Sequence, residues 1–258
     1  MKVLYVTTFN QRLYDLTGKN LVKTFMENIK DADLLVCPEE MDFVSPSERI
    51  KVFDIGKSKY FTNWLEDNKK NIPKFYGGLA EDKDPRFVLD DKKGQGWARF
   101  RASRYFRKVA AFQIALDKYS DDYDMIILTD SDVIFKKDID QEKIDELFAG
   151  DISMFYFWGK HRKKINRGPE SGFTGWMKKN NGFEFGKKFC DCFRSGDFLK
   201  YEYWDDGFVL GRLITENKSN YKFKDIVDGF PIRTTRVMEI KGNALIDYIH
   251  HFKNTHQY

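Results

Sequence analysis

The sequence predicts an α/β protein with a mixed, mostly parallel central sheet flanked by helices. Short apolar runs recur at 3–6, 34–37, 52–55 and 125–128, the pattern of strands buried on both faces. Between the first two runs lies a stretch with apolar residues at helical spacing, so the chain opens strand, helix, strand, as a doubly wound sheet does. A second, longer helical pattern directly precedes the run at 125.

Taken in order, Val3, Leu4, Tyr5 and Val6 form the first strand. Ligands of such sheets bind at the carboxyl ends of strands, which places Thr7, Thr8 and Asn10 at a candidate nucleotide crevice, with Tyr14 in the loop beyond. Thr17 is expected to cap a helix whose Val22, Phe25, Met26 and Ile29 fall at i, i+3, i+4 and i+7. Strands follow at 34–37 and 52–55. Pro73, Gly77, Gly78, Pro85, Gly94 and Gly96 punctuate the segment 56–96, which predicts a short helix near Trp64 and then a long loop. Over about 100–119, Ala102, Phe106, Val109, Gln113 and Leu116 share one helical arc, and Arg101, Arg104 and Lys108 align on a neighbouring stripe. Beyond the run at 125 the sequence predicts a strand over 152–158, a basic loop over 160–164 and a helix around 183–193. A last helix is expected to start at Asp205 or Asp206 and run through Leu213. No repeat or linker interrupts the 258 residues, which predicts a single domain over 1–258, with its nucleotide-binding part about 1–135 and its acceptor-side part about 136–258.

Composition narrows the function. Charged residues make up 33% of the chain, and the formal net charge of +4 is too mild to suggest nucleic acid as a partner. No stretch approaches the roughly 20 apolar residues of a membrane span. The N-terminus has no small-residue cleavage site and reads as a first strand, not a signal peptide. Three cysteines, Cys37, Cys190 and Cys192, do not make a disulfide framework and are expected to be reduced, in a cytoplasmic setting.

The run at 125–135, Met-Ile-Ile-Leu-Thr-Asp-Ser-Asp-Val-Ile-Phe, holds two aspartates in apolar β surroundings. Carboxylates are costly to bury unless a positive charge meets them. Read as a strand end, Asp130 and Asp132 point to one side of the sheet's carboxyl edge, with Ser131 between them. Hard divalent cations such as Mg²⁺ or Mn²⁺ take oxygen ligands and bridge carboxylates to phosphates, so the pair suits a cation that clamps a diphosphate. An EF-hand loop is excluded, because Phe135 stands where its glycine is required.

This stretch resembles the DXD signature of GT-A-fold glycosyltransferases, which use nucleotide-sugar donors. Phe106-Arg-Lys108-Val, Pro169-Glu-Ser-Gly-Phe173, Tyr203-Trp-Asp-Asp206, His250-His-Phe-Lys253 and Thr8-Phe-Asn-Gln-Arg-Leu-Tyr14 are similar to further segments of that family, in order along the chain. The resemblance implies a GT-A-like, Rossmann-type sheet and transfer of a sugar from a nucleotide diphosphate sugar, a UDP-sugar first and a GDP-sugar next, to a hydroxyl acceptor on a glycan, lipid or protein glycan. It implies Asp130, Asp132 and His251 as metal ligands, with His251 chosen over His250. An imidazole ligand suits Mn²⁺ better than Mg²⁺. By the same resemblance Lys253 reaches the diphosphate, a role also open to Lys108 or Arg104. Asp206 is the general base for the acceptor hydroxyl if the anomeric centre inverts, or an acceptor-binding group if configuration is retained, with Asp205 its close competitor. Glu170, Ser171 and Gly172 lie near donor sugar or acceptor, and Thr8, Asn10 and Tyr14 bind base and ribose. Trp176 is either a platform for a sugar ring or a core residue.

Two other readings use the same residues. Asp130-Ser-Asp132-Val-Ile-Phe is also close to the first motif of haloacid dehalogenase-type phosphatases, with Asp205 and Asp206 as the distal acidic pair. A sugar- or nucleotide-binding protein without catalysis would keep the metal pair as well.

Overall fold

The computed structural model describes residues 1–68, 102–230, 238 and 240–251. Seven strands form one sheet, in the order β3-β2-β1-β4-β7-β6-β8. They are β1 (Val3–Asn10), β2 (Ala32–Glu39), β3 (Ile50–Val52), β4 (Met125–Thr129), β6 (Met154–Phe157), β7 (Glu170–Met177) and β8 (Phe223–Asp225). Two further short strands, β5 (Val133–Phe135) and β9 (Ile249–His251), pair with each other beside it. All sheet pairings are parallel except those of β7, which runs antiparallel to both β4 and β6. The sheet is therefore mixed and mostly parallel, as expected, with helices on both faces.

Alternation along the strands builds two cores. Leu4, Val6, Leu35, Cys37, Ile126 and Leu128 face one layer; Val3, Tyr5, Leu34, Val36, Met125 and Ile127 face the other. Both faces are covered, which is why these strands read as unbroken apolar runs. On the first face lie α2 (Lys59–Asp67), α3 (Ala102–Tyr119), α6 (Gly182–Arg194) and α7 (Asp206–Asn217). On the second lie α1 (Lys19–Asn28), α4 (Gln141–Leu147) and the β5–β9 pair. The arc expected on α3 is buried at every described position: Ala102, Phe106, Val109, Gln113 and Leu116.

Several local expectations are corrected. The cap before α1 is not Thr17, whose hydroxyl donates to the Leu13 carbonyl inside a helical turn. Asn10 starts that turn instead, its side chain accepting from the Leu13 amide at 2.9 Å. The third strand is Ile50–Val52, two residues earlier than expected, because Asp54 caps a short 3₁₀ turn at Ile55–Lys57. The basic loop at 160–164 is the short helix α5 (Gly159–Lys164), and its Arg162 is buried. Finally, Asp130 and Asp132 do not end a strand. β4 stops at Thr129, and a turn closed by the Val133 amide on the Asp130 carbonyl carries both aspartates. The period-2 argument for their common side therefore does not apply. No described helix is long and apolar enough to cross a membrane.

Candidate metal centre

Three elements bring the acidic pair and a histidine together. The Asp130 amide donates to the Gly172 carbonyl at 2.9 Å, tying the turn after β4 to β7. β5 then leaves the turn and pairs antiparallel with β9, in a register that sets Val133 opposite His251. On β9 the alternation buries Ile249 and His251 and leaves His250 half-buried. Strand register thus selects His251, a choice the spacing of the two histidines leaves open.

His251 is 4% exposed. Its Nε2 lies 2.9 Å from Asp132 Oδ1 and 3.9 Å from Asp130 Oδ2. One ligand atom from each of the three residues falls within 4.8 Å of the others, enough to hold a cation. Asp132 Oδ1 is buried, and the imidazole nitrogen beside it is close but not aligned as a hydrogen-bond donor. Asp132 Oδ1 is thus a buried potential ligand atom without a hydrogen-bond partner among the described residues, in contact with the His251 imidazole. Burial alone would lower the His251 imidazole, but the neighbouring Asp132 and Asp130 outweigh it and raise the group above its ordinary value.

Gly172 makes the room. A Cβ built there would stand 2.9 Å from Asp130 Oδ2 and 3.0 Å from His251 Cε1. Any side chain would press into the space between the donor atoms.

Lys108 forms the other wall. Its ammonium lies 2.7 Å from Asp130 Oδ1 and 2.7 Å from Asp206 Oδ2, and it donates to the carbonyl and hydroxyl of Ser171 at 3.1 and 3.0 Å. Burial opposes the charge, yet Asp130 and Asp206 hold the ammonium above lysine's ordinary value. Asp206 Oδ2 has this charge beside it without an aligned hydrogen bond. Three carboxylates against one ammonium leave two formal negative charges around the centre when His251 is neutral. A divalent cation would balance them.

Asp206 reaches Lys108 because α7 starts hard against β7. Gly168 and Gly207 permit this approach: a Cβ on Gly168 would fall 2.0 Å from the Gly207 carbonyl oxygen. The two candidates for general base separate here. Asp205 caps α7, accepting from the Phe208 amide at 2.9 Å, while Asp206 is 3% exposed and faces Lys108.

Other expected residues take different positions. Glu170 turns to Arg162 in a buried ion pair of 3.0 Å, which anchors the start of β7. Of the two places open to Trp176, it takes the core. It is fully buried, with its indole against Phe112, Phe185 and Phe189 and its Nε1 donating to the Thr174 hydroxyl, so no face is left for a sugar. Ser131 is buried within the turn. Thr7 is buried, and its hydroxyl has no hydrogen-bond partner among the described residues. The Tyr14 ring packs on Phe9 and Phe43. Lys253, Arg101 and most of the loop expected over 56–96 lie outside the described residues, as does the side chain of Arg104.

The sequence reading missed a second charged group at the same sheet edge. The Thr8 hydroxyl shares its one proton between the Cys37 carbonyl at 2.7 Å and Glu39 Oε1 at 2.9 Å, and Arg107 meets Glu39 Oε2 at 2.7 Å. Glu39 is the last residue of β2, so the strand-end rule applied to β1 would have found it on β2 as well.

No family model matches the chain, and no curated protein matches it. Among solved structures, the chain is similar to mouse xyloside xylosyltransferase 1 in its apo form. The identity is 13% and the TM-score 0.49, over 87% of this chain and 85% of that one.

Proposed function

We propose that the protein is a metal-dependent glycosyltransferase that passes a sugar from a nucleotide diphosphate sugar, a UDP-sugar first, to a hydroxyl acceptor. The observation that carries this reading is the cluster of Asp130, Asp132 and His251 around the space kept by Gly172, with the Lys108 ammonium beside it. Two carboxylates and an imidazole fit Mn²⁺, with Mg²⁺ next. When bound, such an ion supplies positive charge to the diphosphate that departs.

The chain's own groups cover the remaining tasks. Lys108 brings a fixed positive charge to the centre and holds Asp130 and Asp206 in place. Asp206 is the carboxylate for the acceptor. The acceptor oxygen bonds to the anomeric carbon, and the bond from that carbon to the diphosphate oxygen breaks with its electron pair. The hydroxyl proton passes to Asp206. Glu39, Thr8 and Arg107 mark the carboxyl ends of β1 and β2, where ligands of such sheets bind.

The phosphatase reading needs its nucleophilic aspartate on the first strand. Asp130 follows β4, the fourth strand along the chain, with three strands already laid beside one another.

A thermal-shift series of UDP, GDP, CMP and dTDP nucleotides, each with and without Mn²⁺, tests the proposal. One base, UDP first, is expected to raise Tm by roughly 5–10 °C at a hundredfold excess over Kd, only when Mn²⁺ is present. The corresponding nucleotide sugar should then be slowly hydrolysed. Stabilisation by no nucleotide under either condition contradicts the reading, and so does hydrolysis of p-nitrophenyl phosphate without hydrolysis of any nucleotide sugar.

A further inference from the structure

A groove of about 730 Å³ lies on the far side of α7 from Lys108, between that helix, α5, strand β6 and the edge strand β8. Its size is that of a site for a small ligand or a few linked rings, about 300–1,000 Å³. Its lining carries five cationic side chains, Lys163, Arg167, Arg212, Lys218 and Lys222, and no carboxylate. Phe208, Gly211, Arg212 and Thr215 reach it from one face of α7, at i, i+3, i+4 and i+7.

Some of this charge is already met. Lys163 pairs with Asp225 at 2.8 Å and Asp228 at 3.4 Å, and Lys222 lies 3.7 Å from Asp151. Arg212 and Lys218 have no carboxylate within ion-pair distance among the described residues. The Arg212 guanidinium instead lies 4.9 Å from the centre of the Phe208 ring, held over that face and open to a planar anion. Trp158 lines the groove half-buried, packed on Gly211 of α7 with the Lys163 ammonium 5.4 Å from its ring centre, and its Nε1 donates to the Arg167 carbonyl at 2.6 Å. The part of the indole that lines the groove gives a flat, partly apolar ligand an apolar edge to pack on. Rings with acidic substituents match both features.

We propose that this groove binds a saccharide that bears acidic groups, and that it is the acceptor-side site of the reaction. The binding stands on the groove alone, whereas the acceptor role rests on the glycosyl-transfer reading above. The two sites share their walls. Gly168 lines the groove and Gly172 borders the metal centre, so the chain between them spans at most about 14 Å. α7 presents Asp206 to Lys108 from its first turn and Arg212 to the groove one and a half turns later. A saccharide anchored by its acidic groups on Arg212 and Lys218 would lie along α7, with Arg212 about 9 Å along the helix axis from Asp206. A nucleic acid fits less well, given the small groove and the net charge of +4.

Titration calorimetry on the full chain tests this, using a heparin-derived hexasaccharide, hexagalacturonate, neutral maltohexaose, inorganic phosphate and a hexauridylate. Both acidic hexasaccharides are expected to bind at least tenfold more tightly than maltohexaose. Affinity should fall at least tenfold in Lys218→Glu and further in Lys218→Glu/Arg212→Glu, while Lys179→Glu, an exposed lysine outside the groove, leaves it unchanged. Lys218 is the exposed residue that ends α7 at its C-cap, so its single variant tests the groove without disturbing the core. Equal binding of maltohexaose, equal binding of phosphate alone, tighter binding of hexauridylate, or indifference to Lys218→Glu would each overturn the proposal. Nucleotide and Mn²⁺ binding measured on the same samples separates the two readings. Loss of saccharide binding with nucleotide binding intact sinks the groove alone. Saccharide binding without any nucleotide binding sinks the acceptor role.

Discussion

Lys108 stands where the charges of the centre meet. A buried ammonium between two carboxylates balances them only while all three are present, and removing the cation leaves negative charge in a poorly solvated place. Lys108→Met should therefore destabilise the fold by about 3–5 kcal/mol, measured by urea denaturation. Most of that cost belongs to Asp206, because the Asp130 side chain is 31% exposed and water screens it. Lys108→Met/Asp206→Leu should recover a large part of the loss, and a single variant within 0.5 kcal/mol of wild type would contradict this picture. At this scale the sequence was uneven. Asp130 and Asp132 stood out because apolar β residues flank them on both sides. Trp176 and Glu170 did not sort so cleanly, since an aromatic ring that packs a core and one that stacks on a sugar look alike in sequence. An acid that pairs with Arg162 looks the same as one that binds a hydroxyl.

Among the elements, β9 is short for the task it has. It is three residues long, pairs with β5 alone among the described strands, and delivers His251 to the centre. A cation bound by His251 and by the turn before β5 would join both sides of that pair, so local opening of β9 should become rarer. Hydrogen exchange at the amides of 249–251 is expected to slow roughly tenfold or more on addition of Mn²⁺, with no change at 3–6 in the core of β1. Equal exchange with and without the ion would contradict the placement of His251. The longer elements were legible in the sequence because their apolar residues repeat at the spacing of a helix or strand. β7 was not: Glu-Ser-Gly-Phe-Thr-Gly-Trp-Met carries no apolar run, so the sequence predicted no strand there, and only pairing with β4 and β6 makes it one. The two-strand pair of β5 and β9 was equally hidden, because it joins segments more than 100 residues apart.

Over the whole molecule, the carboxylates and the surplus cations lie on opposite sides of α7. Negative charge gathers at the carboxyl edge of β4, where the proposed cation would sit, and unpaired positive charge gathers in the groove under Arg212 and Lys218. One α/β scaffold thus offers a cation site and an anion site separated by a single helix, consistent with a donor on one side and an acidic acceptor on the other. Everything on the donor side depends on a divalent ion held by Asp130, Asp132 and His251. Direct Mn²⁺ binding, followed by electron paramagnetic resonance of the free ion, tests that claim most simply. Wild-type protein is expected to take up one Mn²⁺ per chain. Asp132→Asn and His251→Ala should abolish or greatly weaken uptake, and Gly172→Ala should weaken it roughly 10–100-fold by crowding the ligands. Uptake that all three variants leave unchanged, or no uptake by the wild type at millimolar Mn²⁺, would contradict the account.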